Sequence, residues 1–183
     1  ICLGEWGAYS QIFEKFLEFI GIKTLVITDI DSNEEQEITK DGELEKYENG
    51  NNKTENIKCS PSDPKAEFTS NSALKHFFGM KDIQYYLELK SSNKVLSKKN
   101  KQWESNPQGW LRIAYQTEED GYHARSFEDA FIHINRDFIN DSKSEFKGLK
   151  NRSFFDDSAK DAFELADKCI DKKTHFALDI IYF

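Results

Sequence analysis

The sequence predicts an α/β domain with a mostly parallel central sheet, flanking helices and a long polar insertion. A helical pattern over residues 10–20 is followed by a short, nearly all-apolar run over residues 24–28. Such runs are typical of strands in parallel sheets, where helices cover both faces. Two further amphipathic patterns, over residues 126–139 and 158–170, predict helices in the second half of the chain. Alternation of helices with apolar strands favours the α/β class.

The first elements are predicted to form a strand, a helix and a second strand. Ser10–Ile20 places its apolar residues on one helical face, and Gly21 follows where a C-terminal cap is expected. Ile1–Leu3 is predicted to end the strand before this helix, and Thr24–Thr28 to form the strand after it. This order makes a βαβ unit, which is nearly always right-handed.

The middle of the chain is more polar. Residues 33–66 are rich in Glu, Asn, Lys and Gly with almost no apolar period, which predicts a solvated loop inserted into the domain. A helix is expected to start at Ser70 or Asn71, and Asp82–Leu89 is compatible with a helix or a strand. Ser91–Lys101 is predicted to be a basic loop, and the alternation in residues 110–116 predicts a strand.

Three helices are predicted near the end of the chain. The first covers residues 126–139, with Ser126 as its N-cap and Asp129 at the capping-box position. The second covers residues 158–170, and Lys173–Phe183 is compatible with a third. The whole chain, residues 1–183, is therefore expected to form one domain that contains the insertion.

Composition narrows the class of protein. The 183 residues carry a net charge of -8, and no apolar run approaches the roughly 20 residues that span a bilayer. Three widely spaced cysteines argue against a disulfide framework or a zinc site, so we expect a cytoplasmic protein with reduced thiols and no membrane partner. Charge is unevenly distributed, since acids dominate residues 34–48 and lysines dominate residues 81–101.

The stretch TLVITDIDSNEE, residues 24–35, places two carboxylates at the end of the predicted strand. Ligands of open α/β sheets bind beyond the carboxyl ends of the strands. In extended backbone Asp29 and Asp31 point to the same side, so both can reach one divalent cation while Ile30 turns into the core. Oxygen ligands suit Mg²⁺ or Mn²⁺.

The same pair of aspartates allows other functional interpretations. The pair is compatible with a polar strand exit that has no ligand. In a haloacid dehalogenase-like phosphatase the first aspartate is a nucleophile, and Asp156 and Asp157 could imitate that family's later acidic pair, although no apolar strand precedes them. A nucleotide-sugar transferase also uses two such aspartates, but no sugar-nucleotide framework surrounds this pair. The remaining interpretation is the metal site of a nuclease or topoisomerase.

Three blocks of the chain carry a family resemblance. GAYSQIFEKFLEFIGIKTLVITDIDS (residues 7–32) resembles the central block of the TOPRIM domain, a Rossmann-like fold, in endonucleases of the OLD (overcoming lysogenization defect) family. ARSFEDAFIHIN (residues 124–135) resembles that family's later acidic helix start, and KKTHFALDIIY (residues 172–182) its closing segment. The resemblance covers a little over a quarter of the chain. It implies a DNA-cutting hydrolase of the kind found in Gabija-like or retron-associated phage defence.

The resemblance also implies roles for particular residues. Asp29 and Asp31 match the metal-binding pair, and Glu128 matches the later acid, which serves as metal ligand and catalytic group, with Asp129 as its competitor. Lys173 matches the catalytic lysine, and Lys172 is the neighbour that could replace it. Two Mg²⁺ or Mn²⁺ ions about 3.5 to 4 Å apart would support phosphodiester hydrolysis.

The pattern departs from the family at its start. A TOPRIM domain begins with a strand that bears a glutamate, and Glu5 lies in the wrong context for that role. We therefore expect the first strand, its glutamate and an ATPase domain that binds ATP to lie upstream of Ile1, together with contacts for a homo-oligomer. A defence-system partner subunit is also conceivable. The alternatives to the nuclease are the phosphatase and a degenerate TOPRIM module that binds DNA or a partner without cutting.

The lysine-rich segment supplies a candidate DNA contact. Lys90–Lys101 could follow the phosphate backbone, an interaction that salt weakens, or could be an ordinary solvated loop. Trp103 and Trp110 nearby are compatible with core packing or with stacking on bases.

Overall fold

A computed structural model describes residues 7–182 of the chain. The chain divides into two compact units, residues 1–115 and residues 116–183. The prediction of one nuclease domain over residues 1–183 stays a prediction. The mixed α/β class is confirmed, because the described part of the chain contains both helices and several sheets.

The helices and strands have the following bounds. The α-helices are α1 (Glu14–Ile20), α2 (Ser72–Phe78), α3 (Ile83–Glu88), α4 (Phe127–Ser142), α5 (Ala162–Cys169) and α6 (Lys173–Tyr182). The strands are β1 (Thr24–Ile27), β2 (Ser32–Glu37), β3 (Thr39–Lys40), β4 (Glu43–Leu44), β5 (Thr54–Lys58), β6 (Phe68–Thr69), β7 (Val95–Lys99), β8 (Gln102–Ser105), β9 (Leu111–Ala114), β10 (Glu118–Glu119) and β11 (Tyr122–His123). Short 3-10 helices cover Gly7–Phe13, Ser91–Lys94 and Arg152–Asp156.

The largest sheet of the first unit has the strand order β1-β9-β7-β8. Strand β1 runs parallel to β9, whereas β7 is antiparallel to both β9 and β8. The described sheet is therefore mixed, and the prediction of a mostly parallel sheet is wrong for this part of the chain. The reason is the turn between β7 and β8, where Asn100 and Lys101 have positive φ angles of 50° and 66°. A tight turn of this kind joins antiparallel strands.

Strand β1 is less buried than its apolar sequence suggested. Val26 is 4% exposed and faces the core, but Leu25 is 51% and Ile27 69% exposed. Among residues 7–182, β1 pairs with β9 alone. The expected strand at Ile1–Leu3, and with it the βαβ unit, lies outside the described residues.

The helix before β1 begins later than predicted. Gly7–Phe13 is a 3-10 helix that continues into α1, and Gly21 ends α1 in the left-handed conformation, with φ 64°, as its position in the sequence indicated. Gly7 lies against the end of β1, where a Cβ atom would come within 2.7 Å of the carbonyl oxygen of Ile27. Only glycine allows this close approach of two backbones.

The polar segment 33–66 contains strands, so the expectation of a structureless loop is wrong there, whereas the solvated insertion stays a prediction. Strand β2 pairs antiparallel with β5 and β6, and β3 pairs with β4. No residue from 34 to 58 is buried. Because both faces of these strands meet solvent, the apolar alternation that normally reveals a strand is absent. Polar cross-strand contacts replace it, as between the Thr54 hydroxyl and Glu35 at 2.8 Å.

One core holds the first unit together. Strands β1, β7 and β9 cover α2 and α3 through a cluster that includes Ile30, Leu74, Ile83, Leu111 and Ile113, each 0% exposed. Asp82–Leu89, which the sequence left open, is the helix α3 with Asp82 as its N-cap. The predicted loop at Ser91–Lys101 is wrong, since a 3-10 helix and β7 occupy it.

The second unit is built on α4, α5 and α6. Asp129 accepts a hydrogen bond from the backbone N–H of Ser126 at 2.6 Å, which confirms the predicted capping box of α4. Helix α5 begins at Ala162, four residues after the predicted start, because Asp161 supplies the N-cap. The core of this unit includes Ile132, Ile139, Phe146, Leu165 and Phe176, all 0% exposed.

None of the helices within residues 7–182 has the length and apolar character needed to cross a membrane.

Lys94 is an unusual charge inside the first unit. It is 5% exposed, and its ammonium group lies 3.5 Å from the centre of the Tyr115 ring. No ion pair found among residues 7–182 includes it. Burial and, to a smaller extent, the nearby charge of Arg112 together lower the pKa of Lys94 to about 8.

We expect Lys94→Met to stabilise the protein by about 1 to 3 kcal/mol at pH 7, because burial of the ammonium group is unfavourable and methionine keeps the apolar stem. In the wild type, the unfolded lysine binds a proton more tightly than the folded one, so stability should rise between about pH 8 and the ordinary lysine pKa of 10.5. The variant should lack this rise in urea unfolding. Lys99→Met, at an exposed position of β7, is the control. A less stable Lys94→Met protein at pH 7 would show that the contact with Tyr115 outweighs desolvation.

Candidate functional site

Asp29 and Asp31 follow the carboxyl end of β1. The N–H of Thr28 still donates to the carbonyl of Ala114 at 2.9 Å, so the strand pairing continues to the residue before Asp29. Ile30, between the two aspartates, is 0% exposed, as the sequence predicted, and both aspartates are half-buried. The structure therefore places the pair at the strand end that α/β proteins use for ligands.

The backbone does not stay extended through the pair. Asp31 has a φ of 51°, in the left-handed region that few residues other than glycine adopt. The expectation that both carboxylates point to the same side assumed extended backbone, and this assumption is wrong at Asp31. Aspartate adopts this region more readily than most residues, and at Asp31 the angle turns the chain away from the strand direction.

Hydrogen bonds to the backbone fix the turn. The carbonyls of Asp29, Ile30 and Asp31 all accept hydrogen bonds from residues 69–71, which precede α2. Asn33 adds a bond from its side-chain amide to the Asp31 carbonyl at 2.6 Å. Sequence analysis identified Asn71 only as a possible helix cap, because nothing in the sequence shows that residues 69–71 lie against residues 29–31.

The carboxylates fit the expected cation by their chemistry. Mg²⁺ and Mn²⁺ bind oxygen ligands, and Mg²⁺ commonly takes one or two carboxylates from a protein and keeps waters elsewhere. Asp29 and Asp31 supply two such groups. Within the described residues, no three His, Cys, Asp or Glu side chains form a metal-binding group.

Glu128 and Lys173 lie together in the second unit. Glu128 is in the first turn of α4 and 7% exposed, and it accepts a hydrogen bond from Nζ of Lys173, the first residue of α6, at 2.9 Å. The structure therefore joins the two residues that the resemblance selected for catalysis. The Asp29–Asp31 pair belongs to the first unit, and the Glu128–Lys173 pair to the second.

The competing residues have other contacts. Asp129 is 1% exposed and accepts hydrogen bonds from the Tyr122 hydroxyl and from the backbone N–H groups of Arg125 and Ser126, at 2.9, 2.7 and 2.6 Å. Burial and this carboxylate raise the pKa of Tyr122, which keeps its hydroxyl protonated as a donor. Asp129 thus holds the start of α4, and the geometry favours Glu128 over it. Lys173 is favoured over Lys172 because Lys173 contacts Glu128.

Part of the lysine-rich segment is neutralised by acids. Lys98 forms ion pairs with Glu14 and, at 2.9 Å, with Glu18, both on α1. His76 and the indole N–H of Trp103 also contact Glu14. Burial raises the pKa of Glu14, but the hydrogen bonds from Lys98, His76 and Trp103 together outweigh it and leave this pKa below its ordinary value. Lys98 is therefore paired with acids of the same unit, and we no longer include it among the lysines proposed to contact DNA phosphates.

The two tryptophans pack within the unit. The rings of Trp103 and Trp110 lie 5.3 Å apart, and Trp103 meets Phe77 edge-on at 5.2 Å. Both are partly buried against the core of the first unit. Of the two roles that the sequence allowed, the structure supports packing.

The aspartates proposed for a phosphatase lie in an unsuitable place. Asp156 ends a 3-10 helix and is paired with Lys143, and a carboxylate oxygen of Asp157 accepts the N–H of Ala159 at 3.0 Å. The segment before them is the 3-10 helix and not an apolar strand. This placement argues against the phosphatase.

Comparison of the chain with protein-family models, with characterised proteins and with solved structures found no match.

The Glu14 cluster should make stability depend on pH. We expect Glu14→Gln to reduce the free energy of unfolding by about 1 to 3 kcal/mol at pH 7, since hydrogen bonds to a charged group are lost. Because the folded-state pKa of Glu14 lies below the ordinary value of 4.5, this difference should be complete above pH 4.5 and fade as the pH falls through the folded-state pKa. Urea unfolding between pH 3 and 7 measures it. The control is Glu104→Gln, on the exposed side of β8, and an equal loss in both variants would contradict the role of the cluster.

Proposed function

We propose that this chain carries a divalent-metal-dependent DNA endonuclease activity of the TOPRIM type, as part of an ATPase-coupled anti-phage protein of the OLD family. One observation carries the proposal. Asp29 and Asp31 follow the carboxyl end of a strand in a parallel pair, on a turn whose successive carbonyls are all hydrogen-bonded. A carboxylate pair on a backbone fixed in this way is suited to hold a cation in one geometry.

Each residue of the proposed site has a separate chemical role. Asp29 and Asp31 are the carboxylates of the first unit that would hold a cation, and the resemblance gives Glu128 of the second unit the role of a further carboxylate ligand. Divalent cations held there would supply an activated water and charge stabilisation at the phosphoryl oxygens. Lys173, as a compact cation on a flexible stem, would offset negative charge near the phosphate. Its present partner, Glu128, shows that it can reach a carboxylate from α6.

A module that binds DNA without cutting it is the second candidate. The observation that favours it is the ion pair between Glu128 and Lys173, in which each residue already has a partner of opposite charge. The Lys173 side chain is 64% exposed, so the pair contributes little to stability by itself. A substrate phosphate or a cation could therefore exchange with it at small cost.

The nuclease proposal predicts cleavage that depends on the aspartates. Full-length protein should nick supercoiled plasmid in Mg²⁺ or Mn²⁺. Asp29→Ala should lower the nicking rate by more than roughly 100-fold, because loss of a residue that only supports a metal ligand already lowers metal affinity or activity by about 10 to 100-fold. Lys173→Met should also lower it. Gel analysis of relaxed plasmid measures the rates.

Asp137→Ala is the matched control, because Asp137 is an exposed aspartate on α4. It should cut at the wild-type rate. DNA binding without nicking would favour the non-cutting module, and hydrolysis of p-nitrophenyl phosphate without nicking would favour the phosphatase.

DNA affinity should depend on the exposed lysines of the β7–β8 turn and not on Lys98. We expect Lys99→Glu with Lys101→Glu to weaken DNA binding and to reduce the slope of affinity against salt by about 1 for each lost phosphate contact. Lys98→Met should instead lower thermal stability, because Glu14 and Glu18 lose their partner. Fluorescence anisotropy at several salt concentrations measures the affinity. Unchanged affinity in the double variant would remove this turn from the DNA contact.

A further inference from the structure

Asn71 connects the turn at Asp29 with the start of α2. The side chain is 1% exposed, and its amide nitrogen donates to the Thr28 hydroxyl at 2.7 Å and to the Asp29 carbonyl at 2.8 Å. Its amide oxygen accepts the N–H of Leu74 at 3.0 Å, as the N-cap of α2. Both donors of the amide group, and its oxygen, are therefore engaged inside the protein.

The two residues before Asn71 contact the rest of the turn. The Thr69 hydroxyl donates to the Ile30 carbonyl at 2.6 Å, and the N–H of Ser70 donates to the Asp31 carbonyl at 2.9 Å. The Thr69 hydroxyl also accepts the N–H of Asn71 at 3.0 Å. Three consecutive residues thus fix three consecutive peptide groups. Asn71 is the member of this set whose side chain bonds both the turn and the helix.

We propose that Asn71 is a positioning residue for the Asp29–Asp31 pair and sets its affinity for a divalent cation. The orientation of a peptide group determines the direction of the neighbouring Cα–Cβ bonds, so holding the Asp29 carbonyl fixes the direction in which the Asp29 side chain leaves the backbone. Buried donors to backbone carbonyls keep a turn in a conformation that it would otherwise leave, such as the left-handed angle at Asp31. The inference rests on the proposed function, because it assumes that the two carboxylates bind a cation.

Asn71→Ser separates the two tasks of the side chain. Serine is as good an N-cap as asparagine, so α2 keeps its start, but the shorter side chain cannot also donate to Thr28 and Asp29. Asp82→Ala is the matched control, since it removes the N-cap of the neighbouring α3 and leaves the turn at Asp29 untouched. Asp29→Ala reports whether the cation binds at this turn at all.

The experiment measures Mn²⁺ affinity and hydrogen exchange of residues 24–33 in these full-length proteins, at a temperature where all are folded. Asn71→Ser should bind Mn²⁺ at least 10-fold more weakly than wild type, with exchange at least 10-fold faster, and Asp82→Ala should match wild type in both. A merely structural role would lower thermal stability in both variants but would not lower Mn²⁺ affinity in Asn71→Ser alone.

Two other results have distinct meanings. If Asp29→Ala abolishes Mn²⁺ binding while Asn71→Ser binds as wild type, the positioning role is overturned and the proposed metal site stands. If Asp29→Ala leaves Mn²⁺ binding unchanged, the proposed function is overturned, and the role of Asn71 in setting cation affinity is overturned with it. Faster exchange in Asn71→Ser would then still show that Asn71 orders the turn.

Discussion

The first unit depends on how the chain satisfies its backbone carbonyls where β1 ends. Beyond Thr28 the pairing with β9 stops, yet Ile30 is completely buried and draws the turn into the core. A carbonyl buried without a donor costs about 1 to 3 kcal/mol, so the carbonyls of residues 29–31 need donors from elsewhere in the chain. Residues 69–71 provide them, about 40 positions further on. This requirement explains why the end of β6 and the start of α2 lie against the turn at residues 29–31. It also fixes where the polar segment between the turn and β6 begins and ends.

The same requirement explains the form of the polar segment. Its ends are held by the turn and by the pairing of β2 with β6, where Ser32 lies opposite Thr69. Residues 34–58 bury no side chain, because their strands hydrogen-bond to one another and their side chains meet water. A segment with both ends fixed in a core can be elaborated in this way at low cost, because the closure entropy of a loop rises only slowly with its length. The acidic residues of this segment therefore lie on the surface and contribute little to the packing of the core.

Sequence patterns predicted those elements whose signals are local. Helix caps at Asn71 and Ser126, the left-handed Gly21 and the apolar face of α5 all act within a few residues, and each was found where the sequence indicated. The strands of residues 32–58 were missed because a strand with two solvated faces has no apolar period. Strand β7 and the 3-10 helix before it were missed because each contains a lysine with an inward role. Lys94, in the 3-10 helix, lies over an aromatic ring, and Lys98, in β7, lies between two glutamates. The partners of both lysines are distant in sequence, so the lysine-rich composition predicted a solvated loop.

The sequence could not decide between Glu128 and Asp129 as the acid of the site. Both acids lie in the first turn of α4, where either would be stabilised by the helix dipole, so their positions do not separate them. Contacts do separate them. Asp129 uses its oxygens to bind the N–H groups that begin the helix, a task that requires a short side chain folded back on its own backbone. The longer Glu128 extends away from the cap and meets Lys173 on another helix. A carboxylate that is committed to a helix cap cannot be withdrawn without loosening the helix, whereas one that is held by a single exposed lysine can exchange that partner for a cation. The helix start therefore assigns one acid to structure and leaves the other available for chemistry.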